Sequence, residues 1–514
     1  KLIRIEDCFM RNQLKMGAIL SYINILAGLI VGLGYTPVMI RLLGQSEFGL
    51  YSLIGSLVAY LSVLDMGLGN TIVRYISRNR AVGDKKSESE LNGLFLAIYS
   101  VIGLITLIVG SILYFNVDNM FGATLSADQI ERAKIMMILL IFNIAISFPL
   151  SVFASLMQAY ERFIFLRIFN IISVLLKPII ALPFLFMGYG AVTLVVTATI
   201  VNIACLLTNV YYCFKYLDIY FSKGHFEKAF LYEIFGYAFF IFLNAIMDRI
   251  YYGTGQFILG IVSGTIQVAI YAIAMQFMNM YMQFSCAISG VLLPKVTMMV
   301  ANGVTKIELT NLMIKIGRLQ YIVIGYILVM FFLVGKEFIY LWAGENYLSA
   351  YEMILIIMVA ALIPLIQNAG ISILQAMNLN RYRMTAYTIV AVINIFTSIV
   401  LAKMYGGLGC AISTAVAFLI SMGLIMNRYY HKRIGIDIPL FWKNITHMMP
   451  SAFILIVLVE IFQMNVSLEY SWLHFVIKVV IYTLIYMILM YFIGMNGYEK
   501  NLCRSAICKV LRVK

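Results

Sequence analysis

A lysine in the middle of an apolar helix is hard to account for by packing alone. Lys177 stands about ten residues into the apolar stretch 168–187, beside Pro178. A charge at mid-bilayer costs about 2.5–3.5 kcal/mol on an insertion scale, and from that depth its stem reaches neither interface. Lys177 is therefore expected beside a polar cavity. Arg74 falls near the inner end of the second apolar stretch and Arg249 near the outer end of the seventh, each either an interfacial anchor or a further cation on the same path. Asp65 and Asp248 can pair with those cations or hold a coupling proton or sodium ion. Helical period sets Gln276, Asn279 and Gln283 on one face, and Asn24 on another with Gly17, Ser21 and Gly28. Such stripes serve either helix packing or a wet cavity rich in donors and acceptors. Lys478 and Glu460, near the outer ends of the last two stretches, are expected to snorkel.

The elements that position these residues follow from the apolar runs. A helix needs about 20 apolar residues to cross the hydrocarbon core. Fourteen stretches qualify: 16–40, 49–70, 91–115, 133–157, 168–187, 191–214, 233–252, 267–290, 319–336, 352–376, 385–403, 408–428, 448–463 and 472–493. With the N-terminus inside, 29 of the 37 Lys and Arg fall in inside segments and six outside, the asymmetry that orients membrane proteins. Both termini are then cytoplasmic. The first 15 residues are polar and charged, with no cleavable signal peptide visible, so the first span is expected to act as signal anchor.

An internal repeat divides the spans. QAYERF (158–163) matches QAMNLNRYR (375–383), and FMGYGAV (186–192) matches MYGGLGCAI (404–412). Arg162 pairs with Arg381, Gly190 with Gly409 and Pro149 with Pro364, six helices apart, so the copies run parallel. The expected fold is an all-α integral membrane protein of fourteen transmembrane helices: two parallel six-helix lobes with a cavity between them, plus two extra C-terminal helices. Residues 1–15 form a cytoplasmic N-terminal segment, 16–214 the N-lobe, 215–232 a cytoplasmic linker, 233–428 the C-lobe, 448–493 the extra helices and 494–514 a basic cytoplasmic tail.

Composition narrows the function classes. Hydrophobic residues make up 63% and charged residues 12%, with a mean hydropathy of +0.95, where soluble domains hold about 45–50% apolar and about 25% charged residues. That excludes a soluble, disordered or coiled-coil chain. The net charge of +14 follows from membrane orientation and does not point to nucleic acid. Seven cysteines without a CxxC pair and four scattered histidines give neither a disulfide framework nor a zinc site. No cofactor is expected.

RLLGQSEFGLYSL (41–53) and LDMGLGNTIVRYIS (64–77), with AIMDRIYYG (245–253), YAIAMQF (271–277) and LQAMNLNRYR (374–383), resemble the polysaccharide transporter family. These are the oligosaccharide-lipid flippases of O-antigen and capsule pathways, in the superfamily that also holds lipid II flippases and multidrug exporters. The resemblance covers essentially the whole chain. It implies a flippase that carries a polyprenyl-pyrophosphate-linked oligosaccharide from inner to outer leaflet by alternating access. It also implies a bacterial or archaeal plasma membrane, with membrane lipids and polysaccharide polymerase machinery as partners. Lys177, Arg74 and Arg249 are the cations for the pyrophosphate, and Gln276, Asn279, Gln283 and Asn24 the polar groups for the sugar. Two other readings stay open. An ion-coupled multidrug exporter would use Asp65 and Asp248, although Lys177 counts against it. A membrane-embedded polysaccharide polymerase would need catalytic charges on a sizeable loop, and the longest outside segment, 116–132, is short. An ATP-driven pump is excluded, because Met330 stands where a P-loop glycine would precede Gly335-Lys336.

Overall fold

The computed structural model describes residues 2–224, 226, 228–289, 292–377, 379–463 and 470–511. Parts of the expected N-terminal segment (residue 1), linker (225, 227), extra-helix region (464–469) and basic tail (512–514) lie outside the described residues. Among the described residues every regular element is a helix, as expected for a chain whose backbone must satisfy itself in hydrocarbon. Two compact units divide the chain, Lys1–Ala269 and Ile270–Lys514.

The first unit holds α1 (Leu2–Ala59), a 3-10 turn (Leu61–Asp65), α2 (Leu68–Val82), α3 (Lys85–Phe115), α4 (Val117–Phe121), α5 (Ala127–Ala159), α6 (Phe163–Phe186), α7 (Ala191–Tyr216) and α8 (Lys228–Val262). The dividing point falls within α9 (Gly264–Ser289). The second unit continues with α10 (Leu292–Ala301), α11 (Lys306–Ala343), α12 (Ala350–Ile366), α13 (Asn368–Ala376), α14 (Asn380–Phe418) and α15 (Asn427–Tyr429). It ends with α16 (Ile438–Thr446), α17 (Met449–Gln463), α18 (Trp472–Leu489) and α19 (Gly497–Leu511).

Ten helical stretches among the described residues are long and apolar enough to cross a membrane. Two of them, Ile19–Val82 and Asn380–Ile434, are long enough to hold two spans each. Their bends fall at Gly44 (φ 74°) and Gly406 (φ 57°), where the backbone leaves the helical region. With α8 and α9 this is compatible with fourteen crossings. Polar caps set where helices begin: Ser126 and Gln129 form a capping box at α5, Thr305 and Glu308 one at α11, and Asp84 accepts the Ser87 N–H at α3.

Within the first unit α5 packs between α3 and α7, and α1 runs along α6. Leu68, Ile72, Phe95, Tyr99, Val152 and Leu156 form a core there. The second half of α1, which packs along α8, crosses the start of α9 so closely that a Cβ on Gly49 would stand 1.9 Å from the Thr265 carbonyl oxygen. Only a glycine fits that crossing. In the second unit α11 is the hub, touching α12, α13, α16, α17 and α18, around a core that includes Leu309, Met313, Tyr430 and Phe441.

Two spans are interrupted. The stretch expected at 49–70 runs instead to Ala59, turns through the 3-10 segment and restarts as α2 after two left-handed residues, Met66 (φ 51°) and Gly67 (φ 66°). The stretch expected at 352–376 breaks at Gln367, three residues after Pro364, whose missing N–H leaves the Ala360 carbonyl without its helical donor.

Similar backbone features occur in both units. Gly83 and Gly303 are both left-handed and close their helices identically: their N–H groups donate to Arg80 O and Val300 O, and the next residues donate to Asn79 O and Met299 O. The helices that follow, α3 and α11, start on Lys85 and Lys306. Both α5 and α13 end on Gln-Ala, at 158–159 and 375–376. After α7, the run YLDIYF (216–221) buries Leu217 and Ile219, as GIDIPL (435–440) buries Ile436 and Ile438.

Candidate functional site

In the first unit the interrupted second span gathers polar groups. Asp65 closes the 3-10 turn, and its carboxylate accepts the Tyr99 hydroxyl of α3 at 2.8 Å and the Gly67 N–H. Among the described residues Asp65 forms no ion pair. Arg249, on α8, reaches the same segment. Its guanidinium donates to Ser62 Oγ at 3.3 Å, and its carbonyl accepts the Tyr60 hydroxyl, which also bonds Thr254 Oγ1 at 2.6 Å. Asp65 and Arg249 are thus brought to one broken stretch, 60–67. Asp248, beside Arg249, is exposed. Arg74 lies on α2, nine residues beyond Asp65, with its guanidinium 5.9 Å from the Tyr75 ring. The Tyr75 hydroxyl donates to Glu233 Oε1 at 2.8 Å.

Lys177 is on α6, half-buried, beside the buried Pro178 and within electrostatic reach of Cys205 on α7. Among the described residues it forms no ion pair with a carboxylate. The helix α1 runs parallel to α6. Gln13 Oε1 accepts the Ile164 N–H where the pair begins, and Glu47 Oε2 accepts the Ala191 N–H just past the end of α6. Asn24 and Lys177 both lie between these contacts. The Asn24 Oδ1 is buried without a hydrogen bond, an acceptor whose desolvation is uncompensated.

In the second unit Gln276, Asn279 and Gln283 follow one another along α9, Gln276 half-buried and the other two exposed. The same helix ends in a polar knot that the stripe did not reveal. Ser285 Oγ donates to the Leu365 carbonyl at 2.9 Å and accepts from Asn368 Nδ2 at 2.7 Å. Gln320, with its amide nitrogen toward the carbonyls of Leu365 and Ile366 (2.9 and 3.0 Å), supplies donors where α12 breaks. The signal for this knot was Pro364 followed by Gln367 and Asn368 inside an apolar run.

Several charges are held in structural ion pairs, Lys478 against expectation. Lys478 does not snorkel: its Nζ lies 2.7 Å from Glu337 Oε2 of α11, with side-chain exposures of 12% and 6%. A nearly buried carboxylate at 2.7 Å is a nearer partner than water for this ammonium. Arg318 makes a buried bidentate pair with Glu499 (2.6 and 2.8 Å) and donates to the carbonyls of Asn444 and Gly494, tying α11 to α16 and α19. Glu47, in the RLLGQSEFGLYSL run, bridges Arg132 at 2.8 Å and the α7 N-terminus, and the neighbouring Ser46 accepts from Gln129 at 2.7 Å.

Residues 14–300, more than half of the chain, match the family described as polysaccharide biosynthesis proteins. A Shigella flexneri protein described as a candidate O-antigen transporter is 21% identical over 399 residues, 76% of this chain and 91% of that protein. Among solved structures, the lipid II flippase MurJ in an inward closed conformation superposes with a TM-score of 0.72 at 16% identity, over 95% of this chain and 99% of that one. An inward-facing multidrug resistance transporter of the MATE family superposes with a TM-score of 0.57 at 15% identity, over 84% and 99%. The fold is that of these transporters, and the chain belongs to the polysaccharide biosynthesis protein family.

Proposed function

We propose that this protein is a flippase that carries a polyprenyl-pyrophosphate-linked oligosaccharide, the repeat unit of an O-antigen, capsule or other surface polysaccharide, from the inner to the outer leaflet. It works as a transporter by alternating access rather than as an enzyme. It spans a bacterial or archaeal plasma membrane with both termini cytoplasmic, and it hands its product to polysaccharide polymerase machinery. The family match, the O-antigen-transporter relative and the flippase-like fold support the substrate class.

The observation that carries the reading is Lys177: a half-buried ammonium inside α6 with no carboxylate partner among the described residues. A cation held in low dielectric without an internal counter-ion is stabilised by an anion that visits it. In this reading Lys177 is the midway station for the pyrophosphate, with Arg74 on the inner side and Arg249 on the outer. Asn24, Gln276, Asn279 and Gln283 meet the sugar hydroxyls, and Asp65 or Asp248 binds the coupling ion.

Lys177→Met keeps the length of the side chain and removes its charge. The variant is expected to accumulate as wild type does while lipid-linked sugar builds up in the inner leaflet, measured by surface polysaccharide and by extractable lipid-linked intermediate. Lys177→Arg is expected to retain part of the flux, because a guanidinium keeps the charge with different donor geometry. Normal flux through Lys177→Met at normal abundance would contradict the role given to this residue.

A further inference from the structure

The first unit contains a cavity of about 520 Å³ at the ends of α2, α3, α5 and α7, lined by Arg80, Lys85, Glu88, Asn92, Tyr160 and residues 217–220. That is within the ~300–1,000 Å³ range of small-ligand sites. Tyr160 forms its wall. The Arg80 guanidinium lies 4.0 Å above the Tyr160 ring and donates to the Ala159 carbonyl at 2.6 Å, while the Tyr160 hydroxyl donates to the buried Glu88 carboxylate. Burial, and next the bond to Glu88, hold that hydroxyl above its ordinary pKa, so it stays protonated. Asn92 Nδ2 donates to the Tyr220 carbonyl at 3.1 Å, and Ser222 N–H to the Ser89 carbonyl, strapping the chain after α7 across the cavity.

The second unit has the same place and fills it. Matched through the shared helix closures, Arg80 corresponds to Val300. Matched through the first residues of α3 and α11, Glu88 corresponds to Leu309 and Asn92 to Met313. Matched through the Gln-Ala ends of α5 and α13, Tyr160 corresponds to Met377. Leu309 and Met313 are residues of the second unit's core, and Val300 and Met377 pack against that core. One copy of the repeat thus closes this corner with four apolar side chains, whereas the other holds it open with four polar ones. Packing alone is satisfied by the apolar version, and burying the Glu88 carboxylate carries a desolvation cost that an apolar side chain avoids.

We propose that this cavity binds a sugar unit. Its charges balance, Arg80 and Lys85 against Glu88 and Asp218, so neither a free phosphate nor an organic cation is favoured. It offers donors (Arg80, Lys85) as well as acceptors (Glu88, Asp218), and a sugar hydroxyl uses both. The assignment rests on the flippase reading for its occupant, the head of the lipid-linked oligosaccharide before it enters the transport path.

The test uses purified full-length protein in nanodiscs and follows thermal unfolding with N-acetylglucosamine, galactose and disaccharides built from them. Sodium pyrophosphate and tetraethylammonium serve as charged comparators. A sugar should raise Tm saturably and the charged compounds should not, since only a ligand of the native state stabilises it. Glu88→Gln should weaken that effect by about tenfold or more. The double variant Glu88→Leu/Asn92→Met, which writes the second unit's residues into the first, should abolish it; if its ligand-free Tm falls, Glu88→Gln decides. No shift with any sugar, a shift with pyrophosphate alone, or an unchanged response in both variants would overturn the proposal. A polyprenyl-linked sugar in the same nanodiscs should bind more tightly than the free sugar, and equal affinity would sever the site from the transported lipid. Because soluble sugars are read without transport, a failed flippase assay leaves this result independent.

Discussion

Charges inside this membrane protein divide into those with partners and those without, and the division sorts structure from function. Lys478 and Glu337 neutralise each other between α18 and α11 at 2.7 Å, nearly out of reach of solvent. Removing one member leaves a bare charge in low dielectric, so Lys478→Met or Glu337→Leu alone should cost about 3–5 kcal/mol. The double variant should recover most of that loss, because two apolar side chains of similar volume replace both desolvated charges. Thermal unfolding of the four proteins measures the coupling. Lys177 should behave in the opposite way, with the Met variant at least as stable as wild type. Sequence separated these lysines by depth alone. It placed both within helices but could not show that a glutamate 141 residues away faces one of them.

The broken second span is the clearest case of an element shaped for more than crossing. Gly67 sits at φ 66°, and a Cβ there would lie 2.3 Å from Ile241 Cγ2 of α8. Gly67→Ala should therefore lose about 1–3 kcal/mol through backbone strain alone and more through the clash. Its melting temperature should fall well below that of Gly69→Ala, where the nearest atom is the Ser155 hydroxyl at 3.1 Å. A Gly67→Ala protein as stable as wild type would show that the αL–αL break is dispensable. The run LDMGLGN carried this break in its glycines, but hydropathy smooths over a turn that stays apolar, so the stretch reads as one span ending near residue 70. Hydropathy located most of the other long helices, because apolar length is what that quantity measures. The cavity residues Glu88 and Asn92 were illegible for the converse reason. Close to a loop of charged residues they look solvated, and only the backbone match to Leu309 and Met313 shows what they replace.

For the protein as a whole, the arrangement of its charges sets which end of each helix faces the cytoplasm. In a background cleared of its seven cysteines, Ala123→Cys and Asn346→Cys should react with an impermeant thiol reagent on intact cells. Ala81→Cys and Lys432→Cys should react only after permeabilisation. All four positions are exposed, except that Asn346 also contacts its neighbours. Labelling of Ala81→Cys from outside would reverse the membrane and would place the sugar cavity on the wrong face for an inward-leaflet substrate.

Transport itself can be measured in sealed proteoliposomes loaded with a polyprenyl-pyrophosphate-linked oligosaccharide in the leaflet that faces the cytoplasmic ends. A lectin added on the opposite side reports each sugar that arrives. Vesicles with the protein should expose the sugar progressively, while protein-free vesicles and vesicles with Lys177→Met should expose little. Equal exposure with and without the protein, or uptake of an organic cation in place of the lipid-linked sugar, would contradict the flippase account.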